Sequence, residues 1–373
     1  MKAERKKCLF FVQGEGRGHM TQSISMKQIL ENAGIDVCEV LIGKSKYRKI
    51  PDFYFGKINV PVTAIDSPVM TSGKQGKRIK AIKSFFKNLV YIPRFAKSLK
   101  TIKEKIEEHK PDLVINFYEP LCGFYYLFNK PSVPMISIGH QFMFLHDGFL
   151  MPGEGKIAEM SLKAYTKLTS ARAVKKLALS FYPFPDNTGN DVYVVPPLLR
   201  QEVTHHHTDQ GDYLLVYLLN SGYMDNIIEW HKAHPDVAIH CFTDKKDMGR
   251  TLIYDDTLTF HSLDDKLFVD MMANAKGVVS TAGFESICEA MYMGKPVFMM
   301  PVDFHYEQLC NSRDAAKAGA GIYDSWFNID AFMKYLPEHI TDGEQFRNWA
   351  NQSGQIIVNH IKSVLQPDNI VTS

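Results

Sequence analysis

Short apolar runs punctuate the chain, and stretches of helical periodicity fill the gaps between them. Cys8 to Val12, Val37 to Ile42, Leu113 to Phe117 and Met135 to Ile138 are compact apolar runs that end in glycine or polar loop residues. Such runs suit strands buried on both faces, as in a parallel sheet. The series closes at Val194-Val195-Pro196-Pro197, where a strand ends in a double proline. It restarts at Tyr213 to Leu219, Lys276 to Val279 and Pro296 to Pro301. The repeated order predicts an α/β protein with a domain at 1–198, a second at 199–345, and a terminal segment at 346–373. In that last segment Phe346, Trp349, Ser353, Ile357, Ile361 and Val364 recur at three- and four-residue steps and predict one amphipathic helix over Glu344 to Gln366.

Between the first strands lies residues 77–110. Ile79, Ile82, Phe86 and Leu89 make one apolar face before Pro93, and Phe95, Leu99, Ile102 and Ile106 resume it afterwards. From Lys74 to Lys110 there are 12 Lys and Arg against three Glu. Such a helix pair suits an anionic membrane surface. A core-facing pair with a solvated lysine face fits the same pattern. No RNA- or DNA-binding module accompanies the charge, so nucleic acid is not expected as a partner.

Composition narrows the class without naming a function. The chain has 373 residues, 45% hydrophobic and 23% charged, which suits two soluble domains with sizeable cores. Net charge is only +2, but residues 1–199 carry 30 Lys and Arg against 17 Asp and Glu, and the remainder carries 13 against 24. The halves are therefore electrostatically different. Six cysteines without CxxC spacing read as thiols of a reducing compartment, with no zinc or disulfide implied. The basic start is followed by an apolar run too short for a signal peptide, which predicts a cytoplasmic protein.

The densest chemistry lies between Ser280 and Gln308. The strand at Lys276 to Val279 stops at Ser280, Thr281, Ala282 and Gly283, and a helix follows with Ile287, Ala290 and Met291 on its apolar side. Gly294-Lys295-Pro296 supplies its stop signal. Unpaired amides at the front of such a helix, with the positive end of its dipole, bind phosphate without a lysine. Ser286 adds a hydroxyl donor. Glu285, Ser286 and Glu289 share one helix face, where the Glu289 carboxylate suits both hydroxyls of a ribose. Glu307 and Gln308, after the next strand, suit the hydroxyls of a hexose. Singly, each is equally well an ordinary solvated residue; in this order they read as a nucleotide-sugar cradle.

This series resembles the donor site of inverting GT-B glycosyltransferases, a group that includes the UDP-glycosyltransferases and the lipid II-forming N-acetylglucosaminyltransferase. The resemblance implies two Rossmann-like domains facing across a cleft. It assigns the diphosphate to Gly283 and Ser286, the ribose to Glu289, and the sugar to Glu307 and Gln308, with Thr281, Ala282, Phe284 and Glu285 counted among the donor-binding residues around them. Thr281 and Ala282 stand where many UDP-glycosyltransferases have His-Gly, so a histidine–phosphate contact is lost. Asn220-Ser221-Gly222, opening the second domain, is similar to the glycine-serine turn near the diphosphate in the lipid II enzyme. In this fold the C-terminal helix commonly braces the first domain.

At the other end of the chain, Gln13-Gly14-Glu15-Gly16-Arg17-Gly18-His19 follows the first strand. The glycines permit a tight turn and close ligand approach, and Gly16 and Gly18 are taken as donor contacts. The third glycine comes one place early for a nicotinamide fingerprint, and no acid ends the second strand. A histidine at a helix N-terminus is pushed by the dipole toward the neutral form that a general base needs. A structural histidine is the plainer alternative. The resemblance makes His19 the base that deprotonates a hydroxyl acceptor, which the basic segment 77–110 suggests is membrane- or lipid-linked. Glu119, just past the carboxyl end of its strand, is the candidate for orienting the His19 ring, although the family's acidic partner more often sits where Asn116 and Phe117 stand. The carboxyl ends of the strands would bring His140 and Gln141 to the acceptor. The resulting expectation is an inverting transfer from a nucleotide-sugar, UDP-linked, with no metal or cofactor. A nucleotide-sugar epimerase and a non-catalytic nucleotide-sugar sensor remain the alternatives.

Overall fold

The computed structural model describes residues 5–45, 49–68, 92–217, 221–245, 248–340 and 343–366. The chain divides into two compact units, Met1–Arg200 with Asn351–Ser373, and Gln201–Ala350.

The first unit is built on β1 (Lys6–Gln13), β2 (Ile35–Lys44), β3 (Val62–Asp66), β4 (Leu113–Phe117), β5 (Met135–Gly139), β6 (Lys175–Leu179) and β7 (Val192–Val195). They form a seven-stranded parallel sheet in the order β3-β2-β1-β4-β5-β6-β7. Helices cover it, so its strands are apolar without alternation: Cys8 through Val12 are all fully buried. The order reverses between β1 and β4, and ligands of such sheets bind beyond the carboxyl ends of the strands at that point.

The second unit repeats the plan with β8 (Leu214–Tyr217), β9 (Ile239–Thr243), β10 (Thr251–Ile253), β11 (Leu258–Ser262), β12 (Gly277–Ser280), β13 (Val297–Met299) and β14 (Gly321–Tyr323). Their order is β10-β11-β9-β8-β12-β13-β14, with only the edge strand β10 antiparallel to its neighbour. Here the reversal lies between β8 and β12.

Two expectations change. The helix anticipated over Glu344 to Gln366 is two helices, Glu344–Ala350 and Ser353–Leu365, broken at Asn351 and Gln352. Its apolar stripe serves two cores: Phe346 and Trp349 are buried in the second unit, Ile357 and Ile361 in the first. Lys175 on β6 holds the second of these helices, with Nζ 2.8 Å from Ser363 Oγ. In the basic segment, residues 77–91 lie outside the described residues. The described part, Ile92–His109, turns Phe95, Leu99, Ile102 and Ile106 onto the core of its own unit. Lys97, Lys100 and Lys103 remain exposed. Buried Glu39 ties this helix down, 2.6 Å from His109 Nε2 and 3.0 Å from Lys105 Nζ. Its apolar face is thus already used, and what it offers outward is charge.

All six cysteines are free thiols, five of them buried. Among the described residues no helix is long and apolar enough to cross a membrane.

Candidate active site

β1 ends at Gln13, Gly14 to Gly16 make the turn, and a helix runs over Arg17–Asn32 from an extended Gly16 N-cap. Gly18 is the second residue of that helix and His19 the third, in the turn whose amides lack intrahelical partners. His19 is 8% exposed. Its Nδ1 lies 3.1 Å from Gln22 Oε1, one turn along the same helix. Its Nε2 lies 3.4 Å from Gln141 Nε2, which arrives from the 3-10 turn His140–Leu145 after β5. The Tyr118 ring stacks against the imidazole, with centroids 5.6 Å apart and planes at 26°. Tyr118 has φ +60°, a left-handed conformation unusual for an aromatic residue, and its hydroxyl is held by Thr166 Oγ1 at 2.7 Å.

Gln141 and His19 therefore do meet. Glu119 is placed differently from the expectation that it orients His19. Its Oε1 accepts from Ser67 Oγ at 2.5 Å and from the Leu121 amide at 3.0 Å, capping the helix Pro120–Asn129. The group that meets His19 Nδ1 is Gln22. Glu119 is fully buried, and that burial, with a smaller contribution from Glu15, pushes its pKa up to about 7 against the opposing bonds from Ser67 and Leu121. His140 Nδ1 donates to the Leu179 carbonyl at 2.7 Å. Burial lowers the His140 pKa to about 4, which keeps that ring neutral at pH 7.

In the second unit, β12 delivers Ser280 to a turn in which Ala282 has φ +57° and Gly283 is the extended N-cap of the helix Phe284–Tyr292. The left-handed position of this turn is taken by alanine and not by the glycine beside it. Its carbonyl accepts from buried Asn311 Nδ2 at 3.1 Å, which pins the turn. Ser286 Oγ lies 3.1 Å from Ser280 Oγ and donates to the Gly283 carbonyl at 3.1 Å. That hydroxyl sits in the helix's open first turn. Glu289 is buried one turn further along the helix, and Glu285, immediately before Ser286, is half-buried. After β13, His305 caps the helix Tyr306–Lys317, and Gln308 Oε1 accepts from the Val302 amide at 2.8 Å. Gln308 thus spends its carbonyl on the loop. Glu307 is half-buried beside it. Asn220 lies outside the described residues, whereas Gly222 is exposed in the 3-10 turn Ser221–Tyr223 that precedes the helix Met224–Ala233.

The family model described as glycosyl transferase family 1 matches residues 6–337. The chain belongs to that family, and it is a glycosyltransferase. Solved structures agree on the fold. MurG of Acinetobacter baumannii is 15% identical, with a TM-score of 0.58 over 96% of this chain and 99% of its own. A UGT of Medicago truncatula complexed with UDP-glucose is 14% identical, with a TM-score of 0.64 over 97% and 98%. The glycosyltransferase VinC in complex with dTDP is 13% identical, with a TM-score of 0.62 over 97% and 100%. No curated protein matches the chain in sequence. This glycosyltransferase has the GT-B type of fold, one Rossmann-like sheet in each unit.

Gln22, Tyr118, Ser67 and Asn311 were not singled out from sequence. Gln22 sits among other polar helix residues, and Tyr118 has no signal for its backbone conformation. Asn311 is one polar position on a largely polar helix. Ser67, directly after the strand Val62–Asp66, and Tyr118, directly after Leu113–Phe117, stand where the carboxyl-end rule points.

Proposed function

We propose that this glycosyltransferase moves a hexose from a UDP-linked nucleotide-sugar to a hydroxyl acceptor with inversion at the anomeric carbon. The acceptor O–H proton passes to His19 Nε2 as the acceptor oxygen attacks. The bond from the anomeric carbon to the phosphate oxygen breaks, and its electron pair leaves with the diphosphate. First-turn amides of the helix Phe284–Tyr292, with Ser286 Oγ, receive that charge, so the reading requires no metal ion. Glu289 takes the ribose diol, Glu307 and the Gln308 amide take the sugar, and Ser221 and Gly222 add diphosphate contacts. His140 and Gln141 line the acceptor side.

The observation that carries this reading is the setting of His19, whose Nε2 faces a donor amide from Gln141 while Nδ1 faces an acceptor at Gln22. An imidazole so placed holds a lone pair on Nε2, which is what a general base needs. His19→Ala is expected to leave UDP binding nearly intact and to suppress sugar transfer by ~100-fold or more. Retained transfer would remove His19 from this role.

The acceptor is proposed to be lipid-linked and reached at an anionic membrane surface. The strongly basic segment 74–110 supports this, as does an exposed apolar stripe on the helix Pro120–Asn129, where Phe124, Leu127 and Phe128 stand at helical spacing.

A further inference from the structure

We propose that Gln22 and Gln141 form a two-amide clamp that selects one neutral tautomer of His19, with the proton on Nδ1 and the lone pair on Nε2. In this clamp Gln141 holds the place that the acceptor hydroxyl later takes. The inference rests on the reading of His19 as base.

The two amides reach the ring from different parts of the first unit. Gln22, 1% exposed, presents Oε1 to Nδ1 at 3.1 Å from the same helix as His19. A carbonyl oxygen only accepts, so the bond requires a proton on Nδ1. Gln141, 7% exposed, presents Nε2 to the other ring nitrogen at 3.4 Å. An NH2 group only donates, so that contact requires a lone pair on the His19 Nε2. Each amide alone selects the same tautomer. The stacked Tyr118 ring keeps the imidazole plane from turning away.

The chain makes room for the second amide. A Cβ on Gly139 would lie 2.8 Å from Gln141 Oε1, so a side chain there would press on that amide, while its 3.8 Å approach to His19 Cε1 is ordinary contact. The bond at Nε2 is also the longer of the two. The asymmetry suits a permanent hold at Nδ1 and an exchangeable one at Nε2. When an acceptor hydroxyl enters, its hydrogen replaces the Gln141 N–H at the lone pair, and the released NH2 donates to the acceptor oxygen. Gln22 is a positioning residue in this scheme, since it touches the base and not the substrate.

The test uses the full chain labelled with 15N at histidine, with His19 assigned by the signal missing from His19→Asn. Two-bond 15N–1H spectra are expected to show His19 protonated at Nδ1 and bare at Nε2. The reverse pattern, or an even mixture of tautomers, would overturn the clamp. Gln22→Met removes the acceptor at similar length and is expected to mix the tautomers. It should also lower kcat for hydrolysis of UDP-glucose, in which water takes the acceptor's place, by ~10-fold or more with KM little changed. Gln22→Glu, which still accepts from Nδ1–H, is expected to restore both the tautomer and most of kcat. A purely structural Gln22 would leave the tautomer unchanged in Gln22→Met, and that result also overturns the proposal. If Gln22→Met fails to fold, the spectrum of the parent decides. Hydrolysis retained in His19→Ala would mark a failure of the base itself. The wrong tautomer in a protein whose His19→Ala variant is inactive would mark a failure of the clamp alone.

Discussion

The Glu119 carboxylate lies directly over Gly43: a Cβ added at position 43 would stand 1.8 Å from Glu119 Oε2. Glu119 follows β4 and Gly43 lies near the end of β2, so the acid crosses the carboxyl edge of the sheet to meet Ser67 beyond β3. The edge can be crossed there only because position 43 has no side chain. Oε2 is buried and has no hydrogen-bond partner among the described residues.

Gly43→Ala is therefore expected to destabilise the protein by overpacking, by about 1–3 kcal/mol. Chemical denaturation checks this. The double variant Gly43→Ala with Glu119→Ala removes the clash and should recover part of the loss. Equal midpoints for parent and Gly43→Ala would contradict the placement of Glu119.

The same burial gives a pH dependence. A carboxyl held up to about 7 keeps its proton in the folded chain where the unfolded chain has already lost it. The folded state then binds more protons between the ordinary carboxylate range and about pH 7, and stability falls as pH rises through that window. The slope from this one group is at most about 1.4 kcal/mol per pH unit. Glu119→Gln stays neutral throughout and should flatten the curve. Denaturation midpoints at about pH 5 and about pH 8 should therefore move in the variant's favour at the higher value. A constant difference between the two proteins would contradict it.

Ala282 carries the left-handed turn before the donor helix at φ +57°. Ala282→Val adds a β-branched side chain where that conformation is most strained and where Ala282 is already fully buried. Stability is expected to drop by about 1–3 kcal/mol, with UDP affinity falling as the Gly283 turn shifts. A melting temperature and UDP affinity both equal to the parent's would show that the turn tolerates a side chain and does not set the phosphate position.

The parallel strands were legible because a strand covered on both faces has to be apolar throughout, and Cys8 to Val12 or Leu113 to Phe117 announce themselves that way. The helix Phe284–Tyr292 was legible from the strand before it and the stop signal at Gly294, whereas the diphosphate and ribose roles proposed for Gly283, Ser286 and Glu289 rest on their order along that helix. The partners of His19 were not, since Gln22 and Tyr118 act through side-chain direction and backbone conformation that no spacing encodes. Glu119 misled for a related reason: an acid at a strand end suits either a catalytic imidazole or a helix cap, and only the path of its side chain over Gly43 separates them. The terminal helix misled because its stripe is continuous while the cores it serves are two.

Membrane attachment is checked by sedimentation with vesicles. The protein is expected to co-sediment with anionic vesicles and poorly with neutral ones, and salt should release it, since surface attraction is screened over about 10 Å at 0.1 M. Changing Lys80, Lys83 and Lys87 together to glutamine should weaken binding without touching UDP affinity. Unchanged sedimentation of that variant, or no vesicle binding by the parent, would move the acceptor to soluble molecules.

The central claim is that the helix behind Gly283 holds a nucleotide diphosphate with Glu289 on its ribose, and calorimetric titration of UDP tests it most directly. The parent is expected to bind UDP. Glu289→Gln, folded to the same melting temperature, is expected to bind it more weakly by about 1.5–3 kcal/mol, the contribution of one charged hydrogen-bonding group. Identical UDP affinity in parent and variant, or no heat of binding in either, would contradict the account.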